Sequence, residues 1–377
     1  NNSKLLYRRN IIQRVKELYP FLLLGKPYVS IVNGKLVWII DGYSTALNFP
    51  YAAEYRISLP GQSRRNVDYF RNSVKIVVDA YHGTVHAYIV DKKCPIIKTW
   101  KKVFPNSFEK KEMSDELKRH MKFPPTEFEL KSKVYTQYHI TDAQVFYNRE
   151  DIYQLSKEVY RGRKNPYGPY YQICRLPGQK DLRLNLMTMF TPAQTQIVRG
   201  LMGATLDPNT LKPRVVFYSM PKTQKRRDGI MQFLARIDQT PAIKEKLTLW
   251  GKKVMGNTLV YPLLEDGKFT LLYVQPVYIR SNNARFPQIK MIIVGDGANR
   301  ITWGYNFEEA ISNLLSENIS STQENKKTVE TKKVKPKGNL KQRIKRAFNK
   351  YLRYLRENDF VRAGKALEEV KNLMKRF

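Results

Sequence analysis

Acidic residues are scarce in this 377-residue chain: 33 Asp and Glu stand against 67 Lys and Arg, which gives a formal net charge of +34 at pH 7 and a pI near 10. Few purely metabolic enzymes carry such a surplus. Its long-range field attracts phosphate backbones, anionic lipid headgroups or acidic polymers, and it weakens with salt. Lys, Asn, Ile and Tyr are all plentiful, as AT-rich coding would make them, but that bias would raise Glu as well. The charge is therefore read as functional.

Other absences narrow the field. No stretch reaches the roughly 18 consecutive apolar residues needed to span a bilayer, and the start has no signal-peptide pattern. Residues Asn1 to Lys4 contain no initiator Met, so the chain is read as a fragment or a processed product. Cysteine is limited to Cys94 and Cys174, far apart in sequence. One disulfide or two buried thiols are equally open, and neither a metal pattern nor a compartment follows. There is no GxxxxGK(S/T), HExxH or GxSxG, which lowers the enzyme reading. Gly295-Asp296-Gly297 begins like a dinucleotide fingerprint, but Arg300 stands where the third glycine belongs and a strand follows, so it is read as a hairpin turn. His82 and His86, near Asp79 and Asp91, fall short of a zinc set; no catalytic residue, metal or cofactor is assigned. His120 and His139, in tyrosine-rich helical contexts, are read as packing or hydrogen-bonding residues.

What is present describes an α+β fold. A hydrophobic fraction of 42%, with 12% aromatics, is ample for a core, and the length suits about two or three domains. Leu5, Ile12, Val15 and Leu18 predict a short amphipathic N-terminal helix within residues 1–19, stopped by Pro20. Three hairpins follow. Tyr28 to Val32 and Lys35 to Asp41 flank Asn33-Gly34; residues 73–91 turn near His82-Gly83; residues 260–279 turn at Asp266-Gly267. The β-branched and aromatic strands predict mainly antiparallel pairing. Interleaved helices are expected from a capping box at Thr141 and Gln144, from a second at Thr191-Pro192-Ala193-Gln194, and from Thr240-Pro241, which opens a helix through Leu247 and Trp250. After this 20–318 region, 319–338 is polar, lysine-rich and read as a disordered linker. Residues 339–377 are read as a helical hairpin, with a turn at Asn358-Asp359. Residues 319–377 supply +12 of the charge, so the field is not merely a tail effect.

Two groups of residues are candidates for binding. Asp41 and Asp79 each end an apolar strand and are followed by Tyr43 and Tyr81, so the four could converge at one sheet end as a ligand site; the competing reading is that the aspartates cap turns. Arg64, Arg65, Arg71, Lys222, Lys225, Arg226 and Arg227 are candidate anion contacts. Tyr69, Phe70, Tyr167, Tyr170 and Tyr171 keep them company as rings able to stack on sugars or headgroups.

The segments 19–52 (YPFLLLGKPYVSIVNGKLVWIIDGYSTALNFPYA), 71–91, FYNREDIY (146–153), YYQICRLPG (170–178), 235–263 and LLYVQPVYI (271–279) resemble, in the same order, uncharacterised protein family 0182, large membrane proteins of bacteria and some archaea. The resemblance implies several transmembrane helices followed by a large region outside the cytoplasm at the plasma membrane, of which this chain is similar to the C-terminal part. Cys94 departs from the family, where an acidic residue commonly precedes the proline, and other members are often less basic. The family carries no established activity. The expectation is a binding or scaffolding module rather than an enzyme, with an anionic membrane surface or envelope polymer and its own transmembrane region as partners. An enzyme or transporter component acting on an envelope glycan or lipid stays open as an alternative. Nucleic-acid binding is disfavoured because no DNA- or RNA-binding module is recognisable.

Overall fold

The computed structural model describes residues 7–59, 61–160, 163–220, 228–250, 253–265, 268–279, 287–297 and 300–324, together with Asn349, Lys350, Arg353 and Leu367. The chain divides into Asn1–Asn318 and Ile319–Phe377.

Asn10 opens α1 (Ile11–Leu18) by accepting the Ile12 and Gln13 amides at its side-chain oxygen. The helix thus starts later than apolar spacing predicts, because Asn10 is the residue able to satisfy the free amides of a first turn. Next come β1 (Leu23–Leu24), β2 (Tyr28–Val32) and β3 (Lys35–Ala46). A short ribbon, β4 (Tyr55–Ile57) with β5 (Arg65–Val67), precedes β6 (Tyr69–Asp79) and β7 (Val85–Ile89). The first two hairpins close as the sequence reads them, Val32 opposite Lys35 and Val78 opposite Val85. Asn33 and Gly34 take left-handed backbone at φ 49° and 75°, which the tight turn demands. The resulting antiparallel sheet has the order β1-β3-β6-β7, with β2 also on β3.

Four helices follow: α2 (Pro95–Val103), α3 (Asp115–Arg119), α4 (Pro125–Tyr138) and α5 (Ala143–Tyr147). Pleat alternation sends Ile40, Val74, Ile76 and Val78 toward α1 and α2, with Val15, Tyr19, Ile97 and Phe108. Val37, Ile39 and Val77 face the other way, onto Met113, Leu117 and Met121. The α5 cap is Asp142, whose carboxylate accepts the Val145 amide, and not Thr141 one residue earlier.

A second antiparallel sheet contains β8 (Tyr153–Leu155), β11 (Tyr170–Cys174), β12 (Arg183–Pro192), β13 (Gly200–Leu206) and β14 (Pro213–Ser219); β9 (Lys157–Tyr160) and β10 (Arg163–Pro166) pair beside it in sequence as a separate ribbon. The helix expected at Thr191-Pro192 does not form. Those residues finish β12 opposite Gln154 and Tyr153, and Thr191 is buried, so sheet pairing overrides the local capping pattern. After α6 (Ile230–Gln239), Thr240-Pro241 opens α7 (Pro241–Leu249) as expected. The third sheet comprises β15 (Lys253–Met255), β16 (Leu259–Glu265), β17 (Lys268–Ile279), β18 (Gln288–Gly295) and β19 (Ile301–Gly304). Glu265 opposite Lys268 closes the third hairpin, whose turn residues Asp266 and Gly267 lie outside the described residues. Gly295 opposite Ile301 makes Gly295-Asp296-Gly297 part of a hairpin connection. The largest core cluster joins the second and third sheets with α6 and α7.

The final helix, α8 (Phe307–Glu324), continues through six residues of the stretch read as linker. The rest of that stretch lies outside the described residues, as does the C-terminal helical hairpin apart from four helical positions. No helix among the described residues is long and apolar enough to cross a membrane.

Candidate functional site

The two aspartates proposed to converge do not. Asp41 pairs in register with Lys75, while Asp79 lies opposite Val37, four residues along the ladder. At about 3.4 Å per residue this separates them by roughly 14 Å, too far for one carboxylate pair. Asp79 caps its own turn, accepting the Tyr81 amide at 2.8 Å and the His82 amide at 2.6 Å. These amide bonds hold its carboxyl below the ordinary range. Tyr81 is exposed against His82.

Asp41 has a different role. It is 3% exposed and forms a salt bridge with the equally buried Lys75 ammonium, which also donates to the Lys122 carbonyl at 2.9 Å. Lys122 in turn sits 4.6 Å above the Tyr28 ring and 5.5 Å from that of Tyr171. Tyr171 donates to the Phe123 carbonyl at 2.6 Å. This cluster fastens the first sheet to the α3–α4 connection, and that connection to β11. Tyr43 is wholly buried beside it, and burial, reinforced by the Asp41 charge, drives its phenol far up. The buried ion pair, closed off from solvent beside a neutral phenol, makes a structural cross-link.

The anion candidates divide. Arg64 and Arg65 are exposed at β5. Arg71 is paired with Asp91 at 2.8 Å. Lys222, Lys225, Arg226 and Arg227 lie outside the described residues. Of the aromatic candidates, Tyr167 and Tyr170 spend their hydroxyls on the carbonyls of Thr258 and Val260, and both pack on the core cluster shared by the second and third sheets.

Both cysteines are free and buried in separate clusters. Burial raises the Cys174 thiol to about 11. Burial also opposes ionisation of Cys94, but hydrogen bonding to Ser73, Tyr69 and the α2 amide of Ile97 outweighs it and brings this thiol below its usual value. Three of the four histidine rings are hydrogen-bonded: His86 Nδ1 lies 2.7 Å from Glu109, His120 Nδ1 lies 2.7 Å from Ser30, and His139 Nδ1 lies 3.1 Å from the Tyr135 carbonyl oxygen while its ring stacks on Tyr153 at 3.7 Å.

Among the described residues, a lysine-rich surface with exposed apolar side chains lies around α2, where the sequence singled out no site. Residues 92–111 hold seven lysines against one acid, Glu109. They surround α2, which starts at N1 proline and ends in Lys101 and Lys102, where cations complement the helix dipole. Ile97 is buried beneath the helix. Lys98, Lys101 and Lys102 are exposed on the helix faces turned away from Trp100, which stacks on Phe21 at 4.2 Å and on Phe104 at 5.9 Å. Val103 remains 55% exposed, Phe104 44%, and Leu18 at the end of α1 52%. The signal was legible as PIIKTWKKV, an amphipathic run with tryptophan among lysines; its aromatic partner Phe21 comes from a distant segment.

The chain is a strongly cationic α+β protein whose described residues include three five-stranded antiparallel sheets and an aromatic ridge on a lysine-bearing helix. The chain belongs to the uncharacterised protein family UPF0182, whose model matches residues 1–250. Curated relatives named only as UPF0182 proteins include one from Trichodesmium erythraeum, 33% identical over 99% of this chain and 42% of its own length. Another, from Pelotomaculum thermopropionicum, is 33% identical over 99% of this chain and 40% of its own. A third, from Methanospirillum hungatei, is 38% identical over 82% of this chain and 34% of its own. The chain thus spans about two fifths of the length of these relatives. No solved structure matches it.

Proposed function

We propose that this chain is the extracytoplasmic binding part of a larger plasma-membrane protein, and that it holds to anionic lipid headgroups through the α2 face. The observation that carries this reading is one short helix that presents the exposed Lys98, Lys101 and Lys102 on some faces and the stacked Phe21–Trp100–Phe104 ridge on another, with Val103 and Phe104 open to solvent at its end. Amphipathic aromatics settle at the headgroup level of a bilayer, and each nearby lysine adds about 1 kcal/mol on an anionic surface. A soluble anionic polymer would use the lysines but leave the apolar ridge without a role. The enzyme alternative loses its support with the separation of Asp41 from Asp79, and the positive charge meets no nucleic-acid-reading element among the described residues.

Cosedimentation with vesicles tests the proposal. Phosphatidylglycerol vesicles should retain the chain at low salt and release it progressively as salt rises, whereas phosphatidylcholine vesicles should retain little. Equal retention by both lipids would sink the electrostatic reading, and capture by a soluble anionic wall polymer with no vesicle binding would sink the lipid one.

A further inference from the structure

A cavity of about 440 Å³ opens between the β4–β5 ribbon and α4, away from the α2 ridge in sequence and in lining. Five aromatic residues face it: Tyr51, Tyr55, Phe70, Tyr135 and Tyr138. Its volume falls within the range that encloses a small organic molecule. Three charged side chains share the lining, and their bonding differs.

Glu127 is already satisfied. One of its oxygens lies 3.5 Å from the Lys131 ammonium one helical turn away, and the other accepts the Asn72 amide at 3.2 Å. The lysine and glutamate thereby cancel each other's charge. Asp68 is only half-engaged. Its Oδ2 accepts the Phe49 amide at 2.7 Å, while Oδ1 is buried with no hydrogen-bond partner. A carboxylate oxygen withdrawn from water without a donor is unfavourable, so a group supplying an N–H and a positive charge would be stabilised there. Aromatic ring faces carry negative potential, which favours the same sign of ligand.

The loop above the cavity is built around this aspartate. Asn48 and Tyr51 both adopt left-handed backbone, at φ 64° and 60°, a conformation rare for residues with side chains. The Asp68 amide donates to the Ala46 carbonyl at 3.2 Å, and the Phe49 bond to Oδ2 holds the loop from the other side. Backbone strain of this kind persists where the surroundings enforce it, and it places the Tyr51 ring at the cavity mouth.

We propose that this cavity binds a small organic molecule carrying a protonated primary amine on an apolar or ring-bearing body. The ammonium pairs with the Asp68 carboxylate, whose Oδ1 turns toward the cavity to accept from it, and the body lies among the tyrosine rings. The site is independent of the lipid surface proposed for α2.

Titration of the intact chain with benzylamine and with benzyl alcohol, followed by calorimetry, tests it, because the two probes differ in charge but little in shape. Benzylamine should bind saturably, and at least about tenfold more tightly than benzyl alcohol, as a charge-assisted hydrogen bond implies. Asp68→Asn keeps an acceptor for the Phe49 amide and should remove that preference without lowering the melting temperature. Tyr51→Ala, at a fully exposed ring, should weaken benzylamine binding severalfold and leave the fold intact. Absence of saturable benzylamine binding, equal affinity for the alcohol, or unchanged preference in Asp68→Asn overturns the proposal; tighter binding of a neutral saccharide such as N-acetylglucosamine does so too. Should Asp68→Asn fail to fold, the comparison of the two probes on the unaltered chain decides.

Discussion

Asp41 and Lys75 occupy the centre of the first sheet, where each would be costly alone. Their side chains are almost fully excluded from solvent, and their partners are one another and the Lys122 carbonyl. Removing one member leaves a buried charge uncompensated, at a cost of about 3–5 kcal/mol. Asp41→Leu and Lys75→Met should each lower unfolding free energy by that amount in denaturant titrations. The double replacement Asp41→Leu with Lys75→Met removes both charges and leaves only the Lys122 carbonyl short of a donor, so it should cost far less than the sum of the singles. Additive losses would contradict the cross-link. Gly25 belongs to the same arrangement: a Cβ there would stand 3.1 Å from the Asp41 Cβ and 3.3 Å from the Tyr43 hydroxyl, so a larger residue would require these neighbours to give by a few tenths of an ångström.

At the scale of elements, local signals were readable where the local residues decide. Asn33-Gly34 and the alternating runs beside it are enough to specify a hairpin, and Thr240-Pro241 is enough to start a helix. The capping pattern at Thr191 misleads because burial of Leu186 to Phe190 between neighbouring strands outweighs a first-turn preference. Pairings across long separations were not legible. Asp41 meets Lys75 from 34 residues away through the register of β3 on β6, so each reads in isolation as a stray charge in an apolar strand. The α2 ridge was half-legible, since the helix shows its lysines and tryptophan but not the arrival of Phe21. The cavity was illegible, because β4 and β5 are three residues each and show no periodicity.

Over the whole molecule, two properties follow from composition once burial is known. Tyr28, Tyr43, Tyr167, Tyr170 and Tyr171 have phenols raised chiefly by burial, and Tyr69 is pushed up to about 12 for the same first reason, with Cys94 beside it adding to the shift. In the unfolded chain these phenols ionise near pH 10, while the folded chain keeps them protonated, so the folded state binds more protons above that pH. Their contribution is complete below about pH 10 and is lost as pH rises toward and through the folded values. The melting temperature should therefore fall steeply above about pH 10, with the share of the phenolate absorbance that belongs to the buried rings appearing only together with unfolding. Complete phenolate absorbance from all 24 tyrosines while the chain is still folded would contradict the burial of these rings.

The second property is the charge of +34, of which residues 1–318 carry the larger share. A field of that size would hold the chain loosely to any anionic surface, whereas the α2 face predicts a particular point of contact. Two charge-reversed variants separate these cases: one with Lys98, Lys101 and Lys102 changed to Glu, the other with the exposed Lys164, Lys180 and Lys290 changed to Glu. Both lose the same net charge. Affinity for phosphatidylglycerol vesicles should collapse in the first and change little in the second; equal losses in the two would contradict a defined membrane-facing surface.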